Sequence, residues 1–278
     1  MRATRVWFVV AFLALLASGL VAAGCGDDNG GGGGGTTTSS GGGDLGLIQD
    51  GTLTVGSDIP YPPFEQGSPP DYTGFDIDLV DEIAKRLDLT PKIVDTSFST
   101  IFADQQAGKF DLVGSSTTIT PARSKKVTFS IPYFHADQSL MVQKGGDLQS
   151  IDDITSDTRI AVQQGTTGQA YAEDKTDAQV QAFPEIGTAF NAVQAGQVDG
   201  VINDFAVSAY ALKKYPDLDV PETIPTGEDY GFAMQKTNTA LIDAVNGALQ
   251  DMIDDGTYET IFKQWFHKDP SKDLQPSS

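Results

Sequence analysis

A helix–turn–strand unit that occurs twice constrains this chain more than any other feature. Phe102-x3-Gln106-Ala107-Gly108-x2-Asp111-x-Val113 recurs as Phe190-x3-Gln194-Ala195-Gly196-x2-Asp199-x-Val201 at a constant offset, which implies one module used in two related lobes. Two short units can also match by chance, because Gln-Ala-Gly at a helix end is ordinary C-cap chemistry. Around them the segments alternate. Thr52–Gly56, Lys92–Val94, Leu112–Gly114, Thr158–Val162 and Val198–Asn203 read as short apolar strands,. Helical spacing of apolar residues predicts helices over Phe75–Asp88, Phe98–Ala107, Gln169–Asp174, Phe205–Tyr215, Asn238–Asp254 and Thr257–Phe266,. Tyr230–Met234 reads as a strand returning to the first lobe. This alternation predicts an α/β fold of parallel sheets wrapped by helices, with ligands bound beyond the C-terminal ends of the strands. Asp58, Phe98 and Ser116 fall at such ends, and the offset sets Ser115 and Ser116 against Asn203 and Asp204.

The densest chemistry lies between Asp111 and Ser130. A buried strand turns polar through Ser115, Ser116, Thr117 and Thr118; Thr120 then suits an N-cap and Pro121 the first helical position, which places Arg123 in the first turn,. A cation is electrostatically misplaced there. Hydroxyls, free N–H groups and a guanidinium fork converging on one point would receive a carboxylate; the alternative is a solvated charge beside Lys125 and Lys126. Gln163-Gln164-Gly165-Thr166-Thr167-Gly168 is a second turn of the anion-nest type,. Asp204, ahead of a helix, is by itself an ordinary N-cap; across a cleft from Arg123 it becomes an acceptor for an ammonium group. Asp58-Ile59-Pro60-Tyr61-Pro62-Pro63-Phe64-Glu65 is a Pro-stiffened loop,.

Composition removes other classes. Eighteen Lys and Arg against 38 Asp and Glu give a net charge of -20, which argues against nucleic acid or an anionic lipid surface as partner. Cys25 is the single cysteine and His135 and His267 the two histidines, so no disulfide, cysteine cluster or zinc site is expected, and no cofactor is implied. At the N-terminus, Arg2 and Arg5 precede an apolar run, predicting a signal peptide over residues 1–24,. Val21-Ala22-Ala23-Gly24-Cys25 resembles a bacterial lipobox, with Ala22 where leucine is preferred; lipidation of Cys25 is expected. The Gly/Thr/Ser tether that completes residues 25–43 spans about 25 Å as a flexible coil,.

Beyond the tether, the chain resembles the solute-binding proteins of the polar amino-acid uptake family, the bacterial extracellular solute-binding proteins of family 3 that serve ABC importers. The resemblance rests on Tyr61-Pro62-Pro63-Phe64-Glu65, Gly74-Phe75-Asp76-Ile77-Asp78-Leu79, Thr118-x-Thr120-x2-Arg123, Gln164-Gly165-Thr166-Thr167, and the ending from Gly256-Thr257-Tyr258 to Trp265-Phe266. It implies a two-lobe periplasmic-binding-protein fold of type II with two hinge strands near Tyr133–Leu140 and Glu228–Phe232 and the ligand between the lobes. Lobe 1 would comprise 44–134 plus 232–268, lobe 2 residues 139–227, and the tail 269–278. By the same resemblance Arg123 takes an α-carboxylate, helped by Ser116, Thr118 and the Thr167 region, and Asp204 takes the α-ammonium. Tyr61 and Phe98 wall the side chain and Asp58 meets its distal end; Ser115, Gln163 and Asn203 complete the expected ligand-binding set. The Ser115–Ser116 pair and the Gln164–Thr167 turn resemble the basic amino-acid members, which makes arginine or lysine the first expectation and glutamine the second. A monomeric, lipid-anchored, extracytoplasmic receptor is implied, with a free amino acid and an ABC import permease as partners. Related folds also include dehydratases and cell-wall lytic enzymes, for which Asp58 or Glu65 would be the acid, and ligand sensors for membrane receptors. No nucleophile–base pair accompanies those acids, so an enzyme is not expected.

Overall fold

The computed structural model describes residues 44–275. The expected signal peptide, lipidated Cys25, tether and last three residues lie outside the described residues. The chain opens with strand β1 (Thr52–Ser57), a small hairpin β2 (Gln66–Ser68) and β3 (Asp71–Thr73), helix α1 (Phe75–Arg86) and strand β4 (Thr90–Asp95). Helix α2 (Ile101–Gln106), β5 (Leu112–Val113), α3 (Pro121–Ser124) and β6 (Thr128–Phe129) follow. A second group comprises β7 (Phe134–Gln143), β8 (Arg159–Gln163), α4 (Thr167–Lys175), β9 (Gln179–Phe183), α5 (Ile186–Gln194), β10 (Gly200–Asp204), α6 (Phe205–Ala211) and β11 (Leu218–Tyr230). The chain then adds β12 (Ala233–Met234), α7 (Thr239–Asp254) and α8 (Thr257–Phe266).

These strands form two five-stranded sheets, ordered β4-β1-β5-β12-β6 and β11-β7-β10-β8-β9. In the first, β1 runs parallel to β4 and β5, while the returning β12 is antiparallel to β5 and β6. In the second, β8, β9 and β10 are mutually parallel and β7 and β11 run against them. The chain changes sheets where β7 and β11 meet, with Phe134 opposite Tyr230 and Tyr133 N–H donating to Tyr230 C=O at 2.9 Å. The architecture is the expected two-lobe α/β fold. The duplicated unit supplies α2 and β5 to one sheet and α5 and β10 to the other, and each copy ends its helix in the same Schellman turn. Lys109 N–H reaches Asp104 C=O at 3.1 Å, and Gln197 N–H reaches Ala192 C=O at 2.9 Å,.

Three expected elements change. The run Tyr230–Met234 is not one strand: Tyr230 closes β11 in the second sheet, whereas Ala233 pairs with Val113 and Phe129 in the first, so Gly231 and Phe232 cross between them. The helix expected over Phe205–Tyr215 ends at Ala211 and continues as turns, because Pro216 disfavours helical geometry at Tyr215,. Helix α1 stops at Arg86, where Asp88 takes a left-handed φ of 56° and Leu89 N–H caps Ala84 C=O. The aromatic core lies under the crossing. Phe64 packs edge-on against Phe134 at 4.9 Å, Tyr133 stacks on Phe232 at 4.4 Å, and Phe75 and Phe266 meet at 5.1 Å,. Gly74 is required here, since a Cβ would stand 1.9 Å from the Phe64 carbonyl oxygen at a φ of 146°. That close approach holds the Tyr61–Glu65 loop against the start of α1.

Candidate functional site

Between the two sheets lies a small cavity of about 10 Å³. Asp58, Tyr61, Phe98, Ser115, Ser116, Thr118 and Arg123 enter it from the first lobe, and Gln163, Thr167 and Asp204 from the second. Asn203 does not line it; its Oδ1 accepts from the Tyr61 hydroxyl at 2.9 Å.

Arg123 is placed as the Thr-Pro signal predicts. Thr120 caps α3, its Oγ1 accepting from Arg123 N–H at 3.2 Å. The side chain is buried, with Nη1 donating to Thr118 C=O at 2.9 Å and Nη2 to Gly165 C=O of the other lobe at 3.1 Å. Its guanidinium sits 5.2 Å from the ring of Phe98 and 5.0 Å from that of Phe102,. Among the described residues its guanidinium bonds only carbonyl oxygens and no carboxylate. Burial lowers its pKa, against the attraction of Asp204 and Glu228. Phe98 lies in the turn before α2 rather than inside the helix, which starts three residues later than its apolar spacing implies. Its ring is both core and wall: it packs with Ile101 and Phe110 and faces the cation.

Asp204 occupies the N-cap position of α6 without capping it. Its carboxylate instead accepts from Tyr61 Oη at 2.7 Å, Tyr230 Oη at 2.5 Å and Gln138 Nε2 at 2.5 Å. Burial raises its pKa, and these three bonds and Arg123 oppose the rise. Asp58 forms a separate electrostatic neighbourhood: its Oδ2 accepts from Gln163 Nε2 at 2.5 Å, and its pKa is pushed up to about 6, chiefly by burial, with Asp95 and Glu185 as the nearby charges. The bonds Tyr61–Asp204, Asp58–Gln163 and Arg123–Gly165 all cross the cleft, so the lobes are closed on one another.

Sequence reasoning missed two participants, Glu228 and Gln138, and considered a third, Glu65, only as the acid of an enzyme. Glu228, on β11, accepts through Oε2 from Thr118 at 3.1 Å, Thr167 at 2.9 Å and Gln138 at 3.2 Å, joining both lobes to the crossing. Gln138, on β7, links Asp204 to Glu228. Glu65 lines the cavity, fully buried beneath Ser115 and Ser116. Only Glu65 carried a signal, as the last residue of the Pro-rich loop; nothing local marks Gln138 or Glu228 as cleft residues.

Comparison with known proteins gives this geometry a context. Residues 53–268 match the family of bacterial extracellular solute-binding proteins, family 3. The putative ABC transporter arginine-binding protein 2 of Escherichia coli strain K12 is 33% identical over 231 residues, covering 78% of this chain and 91% of that protein. The ABC transporter glutamine-binding protein of Bacillus subtilis strain 168 is 32% identical over 203 residues, covering 72% of this chain and 74% of that one. Among solved structures, an ancestral arginine-binding protein bound to arginine superposes with a TM-score of 0.74 at 37% identity, covering 78% of this chain and 98% of that one. These relatives are named as binding proteins rather than enzymes, and the family profile covers most of the described residues. The chain is a solute-binding protein rather than an enzyme, and it belongs to the bacterial extracellular solute-binding proteins of family 3.

Proposed function

We propose that this protein is a lipid-anchored extracytoplasmic receptor that captures a free basic amino acid, arginine or lysine, and delivers it to an ABC import permease. One observation carries the reading: Arg123 is a buried cation whose hydrogen bonds go to two carbonyls and to no carboxylate. A buried charge without a contacting counter-ion is costly, and a ligand carboxylate would relieve it. Two of the five guanidinium N–H donors are taken by Thr118 and Gly165, leaving three for the ligand,. In this pose Ser116, Thr118 and Thr167 flank the carboxylate, Asp204 takes the ammonium, Tyr61 and Phe98 flank the side chain, and Asp58 receives its cationic tip. Ser115, Gln163 and Asn203 hold those groups in place.

The charge balance of the cavity supports a cationic ligand: Asp58 and Asp204 line it against the one base Arg123. The arginine-binding names among the relatives agree with this. Glutamine is the second reading, favoured by the glutamine-binding relative and by an ancestral arginine-binding protein also solved with glutamine. The lobes of this reading are residues 44–134 with 232–268 and residues 139–227, the protein acts as a monomer, and Cys25 carries the lipid. A thermal-shift panel of the twenty amino acids tests the ligand, because binding to the closed state raises the transition with ligand excess. Stabilisation by arginine or lysine above all others is expected; stabilisation by glutamine alone would overturn the cationic assignment. Intact-mass analysis of membrane-extracted protein tests the anchor, and an unmodified Cys25 would remove it.

A further inference from the structure

Beneath Ser115 and Ser116 lie two acids that the amino-acid clamp does not use. Glu65 Oε1 accepts from Ser115 Oγ at 3.3 Å and Oε2 from Ser116 Oγ at 3.2 Å. Ser115 Oγ also accepts from Asp58 N–H at 2.9 Å, so this chain of bonds ties Glu65 to the end of the cavity where Asp58 stands. Asp76, in the first turn of α1, is the second acid; its Oδ2 accepts from Ser116 N–H and Tyr133 Oη, both at 2.7 Å. The left-handed φ of Ser116, 45°, turns its backbone N–H toward Asp76 while its hydroxyl meets Glu65. Asp76 Oδ1 is buried and has no partner among the described residues.

Both acids are fully buried, with 0% exposure, and among the described residues no cation bonds either one. The titratable groups facing the pair are Asp58 and Tyr61 from the loop after β1, Tyr133 from the approach to β7, and Tyr258 from α8. None of them supplies a positive charge. Two buried carboxyls in that setting, with no cation bonded to either, do not both ionise, so the pair retains one proton. Burial raises the pKa of both groups, and the charge of each neighbouring acid raises that of Glu65 further.

We propose that Glu65 is a specificity-determining residue: Glu65, which lines the cavity, and Asp76 behind it together keep one proton in the ligand-free state, and a cationic side-chain tip entering beside Asp58 displaces that proton to solvent. The proposal rests on the cationic reading above. The ligand's charge replaces the proton's, with no change in covalent bonding at carbon. A neutral amide tip brings no such charge, so the proton stays and the pair favours cations over amides more strongly as pH rises.

Isothermal titration calorimetry of the wild-type protein with arginine, run at about pH 7.5 in phosphate and in Tris, reads the proton directly. At that pH Asp58 is mostly ionised before ligand arrives, so its own contribution is small. The slope of observed enthalpy against buffer ionisation enthalpy should show net proton release on arginine binding, falling toward zero in Glu65→Gln. Circular dichroism and thermal melting establish that the variant is folded; if it is not, Glu65→Ser takes its place with the same loss of slope expected, because burial also raises the pKa of Asp204 and Glu228 and the variant is what singles out Glu65. Tight arginine binding with buffer-independent enthalpy overturns the proposal and leaves the cationic reading intact. Absence of binding to both arginine and lysine removes the two together.

Discussion

Replacing Arg123 with methionine should abolish most ligand affinity while leaving the ligand-free fold as stable as before. Methionine keeps an apolar stem against Phe98 and Phe102 and removes a buried guanidinium that hydrogen-bonds only two carbonyls. In the complex, the ligand carboxylate would be desolvated without its cation. Truncating one partner of such a pair costs about 2–5 kcal/mol, and the three free donors of Arg123 allow a two-pronged contact near the middle of that range. About 3–4 kcal/mol corresponds to roughly 150- to 900-fold weaker binding. Calorimetric titration with arginine measures the affinity, and thermal denaturation of ligand-free protein measures the fold. The loss of two carbonyl contacts and of the attraction to Asp204 and Glu228 is offset by removal of a desolvated cation that no carboxylate contacts, so the melting transition should stay close to that of wild type,. Binding within threefold of wild type refutes the role assigned to Arg123. A fall in affinity matched by an equal fall in ligand-free stability refutes it too, since that pattern belongs to a structural residue.

Asp58→Asn should weaken arginine and lysine by more than about 1.5 kcal/mol, the scale of a charged hydrogen bond, and glutamine by less; equal losses across the three in parallel titrations would contradict a cationic tip at Asp58. Tyr61→Phe removes a hydroxyl that spans the cleft to Asn203 and Asp204, and stopped-flow dissociation should be about tenfold faster with little change in association. His135 sits at the crossing between Asp229, at 2.5 Å from Nδ1, and Asp273, at 2.9 Å from Nε2. Burial lowers its pKa, but the bonds to the two aspartates outweigh it and the net shift is upward. Its stabilisation is therefore fully present below the ordinary histidine value and is lost as pH rises through the raised one. The melting difference between wild type and His135→Gln should be larger at about pH 6 than at about pH 8.5, and a difference that does not change with pH would rule out the charged clasp.

Local chemistry was legible in the sequence wherever a residue's role depends on its chain neighbours. The Thr120–Pro121 signal placed Arg123 on a capped first turn, and Thr120 does cap Arg123 N–H. The repeated Gln-Ala-Gly marked two helix ends that close in the same Schellman turn, and the constant offset pointed to two lobes. Capping, periodicity and the Gly at a left-handed position all act over a few residues, so they survive in one dimension. What the tertiary structure alone decided are the contacts made when distant segments close. The apolar run Tyr230–Met234 gives no hint that it changes sheets at Gly231, because strand pairing depends on partners elsewhere in the chain. Glu228 meets Thr118 across 110 positions, and Gln138 reaches Asp204 across 66. The Glu65–Asp76 pair exists because Gly74 lets two loops approach so closely that both acids lose their water. Desolvation and counter-charge are properties of the assembled cleft, and they fix which carboxyls ionise and which hold a proton.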